Sequence, residues 1–419
     1  MNFWPKKQYF LGMAAGFSRE ARLKHTFSVG LEKDRAELVK FLEKKYGVDP
    51  RVEGEAISAK TSKKPQNAGS EQEKSSASQA MLCKNGRSAL CLALEAYFNR
   101  GDKIIVNGFT CYAVVEAVKK AGLTPVFADI SREDLNFNVR TLEKAITRGT
   151  NESKTADKDD NETNVRGIII QNSLGNPVDI LAIEKFARKQ NLILIEDLAH
   201  AAGRKYSDGR EMGTVGAATV LSFGKDKAID TVSGGAVILR DPCKNAIEAP
   251  TKLPKLSDLL RARFYPLLGA ICRGLTRIHL GGALMRGLVK IHWVEKSADN
   301  RLDLERKISK FEAKLALKQL QKSPGTAPLR DFYLVNDREK VLRELRRAGY
   351  YFYGFWYERP VSPARCYQKV HFPEEDCPEA VFVSEHIVNF PRYYSKKELE
   401  KARKIVEKYL IREKEGREK

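Results

Sequence analysis

Cysteine is scarce and scattered in this sequence. Cys83, Cys91, Cys111, Cys243, Cys272, Cys366 and Cys377 form no CxxC pair and are odd in number. That pattern argues against a zinc ribbon or a disulfide scaffold and points to reduced thiols in a cytosolic protein. Long apolar runs are missing too. No window approaches the unbroken apolar length of a transmembrane helix. The basic N-terminus "MNFWPKKQYFLGMAAGFSREARLK" carries an apolar piece too short and interrupted for a signal peptide. Negative charge is in deficit, with 54 Asp and Glu against 74 Lys and Arg and a net charge of +20. Such an excess suits a phosphorylated substrate, an anionic membrane or nucleic acid. The basic residues are spread along the chain, without zinc-finger spacing or an RNA-binding signature, so no nucleic-acid partner is expected.

What is present is length and alternation. The 419 residues, 42% of them hydrophobic, are enough for two domains with a real core. Residues 1–54 read as an N-terminal helical segment. Residues 55–80, rich in Ser, Lys and Glu, read as a disordered loop, and the polar insert 150–164 reads the same way. Over 81–245, strand-length apolar runs ("KIIVNG", "TPVFADI", "RGIIIQNS", "LILIEDL", "ATVLSFG") alternate with helical patterns such as "CYAVVEAVKKAG". This predicts an α/β domain whose mostly parallel sheet is flanked by helices. An amphipathic helical insert follows at 246–299, then a smaller C-terminal α+β domain at 300–419. No internal repeat is visible.

Ligands of such sheets bind at the carboxyl ends of strands. Gly86, Arg87 and Ser88 open an amphipathic helix, where free amides, a hydroxyl and a guanidinium suit a phosphate, although an ordinary helix cap looks the same. "LILIEDLAHAAG" ends a strand with Glu196 and Asp197, followed by His200, and a carboxylate there often only caps the next helix. "LSFGKDK" ends a third strand with Ser222, Lys225 and Lys227. One chemistry uses all three ends together. Pyridoxal phosphate (PLP) requires an anion site, a carboxylate that keeps its pyridine nitrogen protonated, and a lysine amine that bonds to it covalently.

These segments, in order, resemble the DegT/DnrJ/EryC1/StrS family of sugar aminotransferases, which are fold-type-I PLP enzymes. The resemblance rests on "GRSALCLALEA", "NSLGNPVDI", "IEDLAHAAG", "MGTVGAATVLSFGKDK" and "DTVSGGAVIL", then "LRRAGYYFYGFWYERPVSP" and "SEHIVNFPRYYSKKELEKARKIVEKYL". It runs from about Leu82 to the C-terminus and is thinnest in the two polar inserts and at 255–300. The resemblance implies Lys227 as the cofactor-bearing lysine, through the Ser-Phe-x-x-x-Lys spacing from Ser222. Lys225 becomes a solvated neighbour or a substrate-phosphate contact. Asp197 is implied for the pyridinium, with His200 near the phenolic oxygen and Ser222, Gly86, Arg87 and Ser88 around the phosphate. His200 has the alternative of a satisfied histidine inside a helix. Two positions depart from the family pattern. Cys111 stands where an aromatic residue usually stacks on the ring, with Tyr112 next, and Arg87 stands where many members have Thr. The partner-subunit segment that completes the phosphate site has only Asn300 and Arg301 as candidates.

The implied function is transfer of an amino group from an amino acid, by analogy glutamate, to a keto-sugar nucleotide in polysaccharide or surface-glycan synthesis, by a cytoplasmic homodimer. The alternatives are a PLP-dependent sugar dehydratase of the same fold, whose members replace the lysine with histidine, and a non-enzymatic basic protein bound to membrane or nucleic acid. Residues 264–293 read as an amphipathic helical pair. It is either buried in an intramolecular or subunit contact, the preferred reading, or in peripheral contact with an anionic membrane at the inner surface.

Overall fold

The computed structural model describes residues 9–11, 19–47, 78–151, 165–240, 242–275, 280–294, 301–322, 328–352, 356–392 and 394–411. Most of the two polar stretches expected as loops lies outside these residues. Ser78–Ala80, at the end of the first of them, belong instead to a strand, and Thr150 and Asn151, at the start of the second, close a helix.

The first strand, β1 (Tyr9–Leu11), precedes two helices, α1 (Arg19–Phe27) and α2 (Glu32–Tyr46). Then come β2 (Ser78–Cys83), α3 (Gly86–Tyr97), β3 (Lys103–Asn107), β4 (Thr110–Cys111), α4 (Tyr112–Lys120), β5 (Thr124–Ala128) and α5 (Val139–Asn151). β6 (Val165–Ile170), α6 (Ile180–Lys189), β7 (Ile193–Asp197), β8 (Ala218–Ser222) and β9 (Gly235–Arg240) complete the large sheet. Its order is β2-β9-β8-β7-β6-β3-β5. The central strands run parallel, and β9 lies antiparallel to both β8 and β2. The expected α/β architecture is therefore present.

Continuous apolar strands indicate a sheet buried on both faces, and alternate residues do pack into two cores. Ile105, Ile168, Ile170 and Leu221 join one core with Leu38 and Leu42 of α2. Ile104, Val106, Ile169 and Val220 join the other with Ala89, Leu90 and Leu94 of α3. Arg240 at the end of β9 ties the first face together. Its buried guanidinium donates to the Tyr46 carbonyl at 3.0 Å, the Gly216 carbonyl at 2.6 Å and the Thr219 hydroxyl at 2.8 Å.

After the sheet come α7 (Leu256–Leu275), α8 (Gly281–Lys290) and α9 (Lys310–Gln321). The C-terminal boundary expected at 300 moves, because Ile308, Ala313, Ala316, Leu317 and Leu320 belong to the core of the large sheet. The small α+β unit is built from β10 (Arg330–Leu334), α10 (Arg338–Arg347), β11 (Tyr350–Phe352), β13 (Ile387–Pro391) and α12 (Lys396–Glu407), while β12 (Val361–Ser362) pairs with β4 and α11 (Pro378–His386) packs on the second core of the large sheet. β10 and β13 pair antiparallel, and Val335, Val341, Leu345, Phe390, Leu399 and Val406 fill a core of their own.

Candidate active site

The site assembles where strand ends meet. Cys83, Gly235 and Ser222 stand side by side across β2, β9 and β8, so the start of α3 abuts the end of β8. A Cβ on Gly86 would lie 2.5 Å from Ser222 Cβ, and only glycine permits that approach. Asn85 caps α3 by accepting from the Ser88 backbone N–H at 2.8 Å. The positive end of the helix macrodipole thus faces Ser222.

β7 carries two adjacent carboxylates with opposite fates. Glu196 is fully buried and belongs to structure. The Gly213, Val215 and Gly216 amides donate to it at 2.7–2.8 Å and the Tyr206 hydroxyl at 2.6 Å. Asp197 lines a cavity of about 150 Å³ instead, where the Ala199 N–H donates to its Oδ1 at 3.0 Å. Burial pushes the Asp197 carboxyl up, while the Ala199 hydrogen bond and the Lys227 charge pull it down.

Lys227 follows β8, and its Nζ lies 3.1 Å from His200 Nε2 and 4.7 Å from the centre of the Trp356 ring. The Leu174 N–H donates to His200 Nδ1 at 3.2 Å. An amide proton can only be given, so Nδ1 holds the lone pair and the neutral ring carries its proton on Nε2. Burial, with the Lys227 and Arg330 charges, holds His200 well below the ordinary histidine range and keeps it neutral. Trp356 stacks on His200 at 5.0 Å and 25°, and the Tyr357 hydroxyl lies 3.4 Å from Nε2.

A larger chamber of about 510 Å³ adjoins the cavity through Lys227 and His200. Lys24, Arg204, Lys318, Lys322, Arg330 and Arg392 contribute positive charge to its wall, against Asp226 and Asp230.

A lysine side chain, a buried carboxylate and a helix N-terminus share one cavity at the strand ends. Residues 70–252 of the chain match the DegT/DnrJ/EryC1/StrS aminotransferase family. Over those residues the chain is similar to that family. It is similar to GDP-perosamine synthase of Escherichia coli O157:H7, with 36% identity over 163 residues, and the match spans 39% of this chain and 40% of that relative. A DegT DnrJ EryC1 StrS aminotransferase from Brucella abortus shares the fold at a TM-score of 0.60 and 19% identity, covering 93% of this chain and 95% of that one. The E. coli GDP-4-keto-6-deoxy-D-mannose-3-dehydratase with bound hydrated PLP does so at 0.56 and 14% identity, covering 96% and 100%.

Of the residues carried over from the family, Gly86, Arg87, Cys111, Asp197, His200, Ser222 and Lys227 all line the small cavity. Ser88 is not part of that lining. Its hydroxyl donates to Asn85 Oδ1 at 3.0 Å and accepts from the Asp303 N–H at 3.0 Å. The Arg87 guanidinium pairs with Glu116 of α4. Cys111 occupies the family's aromatic position, and Tyr112 opens α4 outside the lining. The aromatic rings in the cavity are Trp356 and Tyr357, which sequence reasoning missed. Their signal was the dense "YYFYGFWY" run, but nothing local to it says where it docks. Lys225 also lines the cavity, with Nζ 4.3 Å from the centre of the Tyr265 ring in α7. Asn300 lies outside the described residues. The Arg301 carbonyl accepts from Asn85 Nδ2 of its own chain at 3.1 Å.

Proposed function

We propose that this protein is a PLP-dependent aminotransferase. In this reading it moves an amino group from an amino acid, glutamate by family analogy, to a keto-sugar carried on a nucleotide, in polysaccharide or surface-glycan synthesis. One observation carries the reading. Lys227, neutral His200 and buried Asp197 converge on a cavity that the start of α3 also faces.

The residues present fit the cofactor. The contact of Gly86 with Ser222 leaves a side-chain-free cradle at a helix N-terminus, suited to a phosphate. Asp197, whose carboxyl burial destabilises as an anion, gains from a cationic partner such as a protonated pyridine nitrogen. When bound, PLP supplies an electrophilic carbon for amines and an electron sink that lets an amino-acid Cα lose its proton. Lys227 would hold the cofactor through its amine. Its amine would also serve as the base that moves a proton at the amino-acid Cα. His200 Nε2–H would donate to the phenolic oxygen, with Trp356 fixing the imidazole plane.

The positively lined chamber beside Lys227 suits a doubly phosphorylated acceptor. The seven free thiols suit a cytoplasmic enzyme. A homodimer, implied by the family, belongs to the same reading.

Borohydride reduction followed by peptide mapping tests the assignment. Label on Lys227, and a yellow absorbance lost in Lys227→Ala but kept in Lys225→Ala, is the expected result. Label on Lys225 would overturn it. A mass-spectrometric screen of keto-sugar nucleotides with glutamate as donor then identifies the acceptor.

A further inference from the structure

Among the described residues, every exposed large apolar side chain except Leu181 falls in two stretches, 23–31 and 253–293. These stretches form or flank α1, α7 and α8, and α7 packs against both of the others. α7 is apolar on two sides. Ala262, Tyr265, Gly269 and Cys272 face inward, and Ala262 and Tyr265 share a small core with Val232, Val294 and Phe311. Leu256, Leu260, Phe264, Leu267 and Ile271, spaced four, four, three and four apart, form a second stripe, whose members Leu256, Leu260 and Ile271 are exposed. Leu280, Leu284 and Ile291 continue the exposed set along and just beyond α8, and α1 adds Leu23 and Phe27. Leu256, Phe27 and Ile291 are 70%, 69% and 68% exposed.

Charge says what covers this surface. Residues 253–293 hold seven Lys or Arg and a single acid, Asp258, which is already paired with Lys84 at 2.9 Å. Among the described residues the exposed cations of this stretch are Lys255, Arg286 and Lys290, while Arg263 lies over the Phe311 ring. A two-fold contact with a second copy would set this basic surface against itself. A plane of anionic headgroups supplies countercharge to all of it. No described helix is long and apolar enough to cross a membrane, so the helices would lie in the interface plane. Trp293 beside Ile291 suits the headgroup level.

We propose that α1, α7 and α8 form a docking surface for an anionic lipid membrane. The exposed leucines, Phe27 and Ile291 enter the acyl boundary, and Lys255, Arg286 and Lys290 meet the phosphates. α1 also brings Lys24 and His25 to the wall of the chamber that reaches Lys227, so the docked surface and that chamber share a helix. The proposal is independent of the chemistry assigned to Lys227.

Co-sedimentation of the full chain with phosphatidylglycerol or phosphatidylcholine vesicles tests it. The wild type is expected to pellet with the anionic vesicles only, and less so as salt is added. Arg286→Ala and Lys290→Ala should each weaken partition about fivefold, and together about 25-fold. Leu256→Glu with Ile291→Glu should abolish it while far-UV circular dichroism stays unchanged. The proposal is overturned by no pelleting of the wild type with anionic vesicles at low salt, by equal pelleting with neutral vesicles, or by pelleting that both variant pairs leave intact. If the Glu variants instead turn a dimer into a monomer and still bind vesicles, the surface is a contact between copies and the proposal fails.

Discussion

Adjacent residues in β7 separate structure from chemistry. Glu196 satisfies three backbone amides and the Tyr206 hydroxyl, so Glu196→Gln would turn an amide group toward buried donors. We expect this variant to lose about 2–4 kcal/mol in urea unfolding yet keep its borohydride-reactive lysine. Asp197→Asn should show the converse, near-normal stability with turnover down roughly a hundredfold. Wild-type-like transamination would remove Asp197 from the site. Asp230, on the wall of the chamber, gives a pH signature. Desolvation, then the neighbouring Asp226 charge, pushes its carboxyl up to about 7. The unfolded chain releases that proton near pH ~4, so the group's contribution to stability is complete below about pH 4. It shrinks as pH rises and is gone above about 7. Unfolding free energies of the wild type and Asp230→Asn, measured across this window, should therefore show a wild-type advantage that falls with pH. A constant difference would count against the raised carboxyl.

At the scale of elements, the junction of α3 with β8 carries the site. Because Gly86 touches Ser222, Gly86→Ala must push the helix off the strand end. We expect a loss of about 1–3 kcal/mol together with weaker cofactor retention, read as absorbance after dialysis. Ser222→Gly removes the atoms in the way and should restore much of the stability of Gly86→Ala. If the double variant is no better than the single one, the close approach is not what the glycine serves. This junction was legible in the sequence only in part. A glycine before a helix and a serine ending a strand mark two termini, but their contact depends on β2 pairing with β9, and β9 with β8. That long-range register also explains why Ser88, one turn into α3, is committed to Asn85 and Asp303 rather than to the cavity.

The whole molecule joins the cavity at the strand ends to an apolar surface edged with exposed cations. If the site is completed by a second subunit, light scattering should give twice the 47.3 kDa chain mass. A fully active monomer would contradict the homodimer and leave the Lys227 assignment standing.

The α/β alternation, the strand ends bearing Asp197 and Ser222, and the order of helix, carboxylate and lysine follow from the sequence alone. Apolar periodicity and punctuation by glycine and charge are local properties, written residue by residue. Tertiary packing decided the rest. It brought Trp356 and Tyr357 across the chain onto His200, engaged Arg87 with Glu116 and moved α9 into the core of the large sheet. It also left one stripe of α7 facing outward while the other was buried. A sequence shows that a side chain is apolar or charged. Which partner reaches it depends on how distant elements close around the core, and that is settled only when the whole chain has packed.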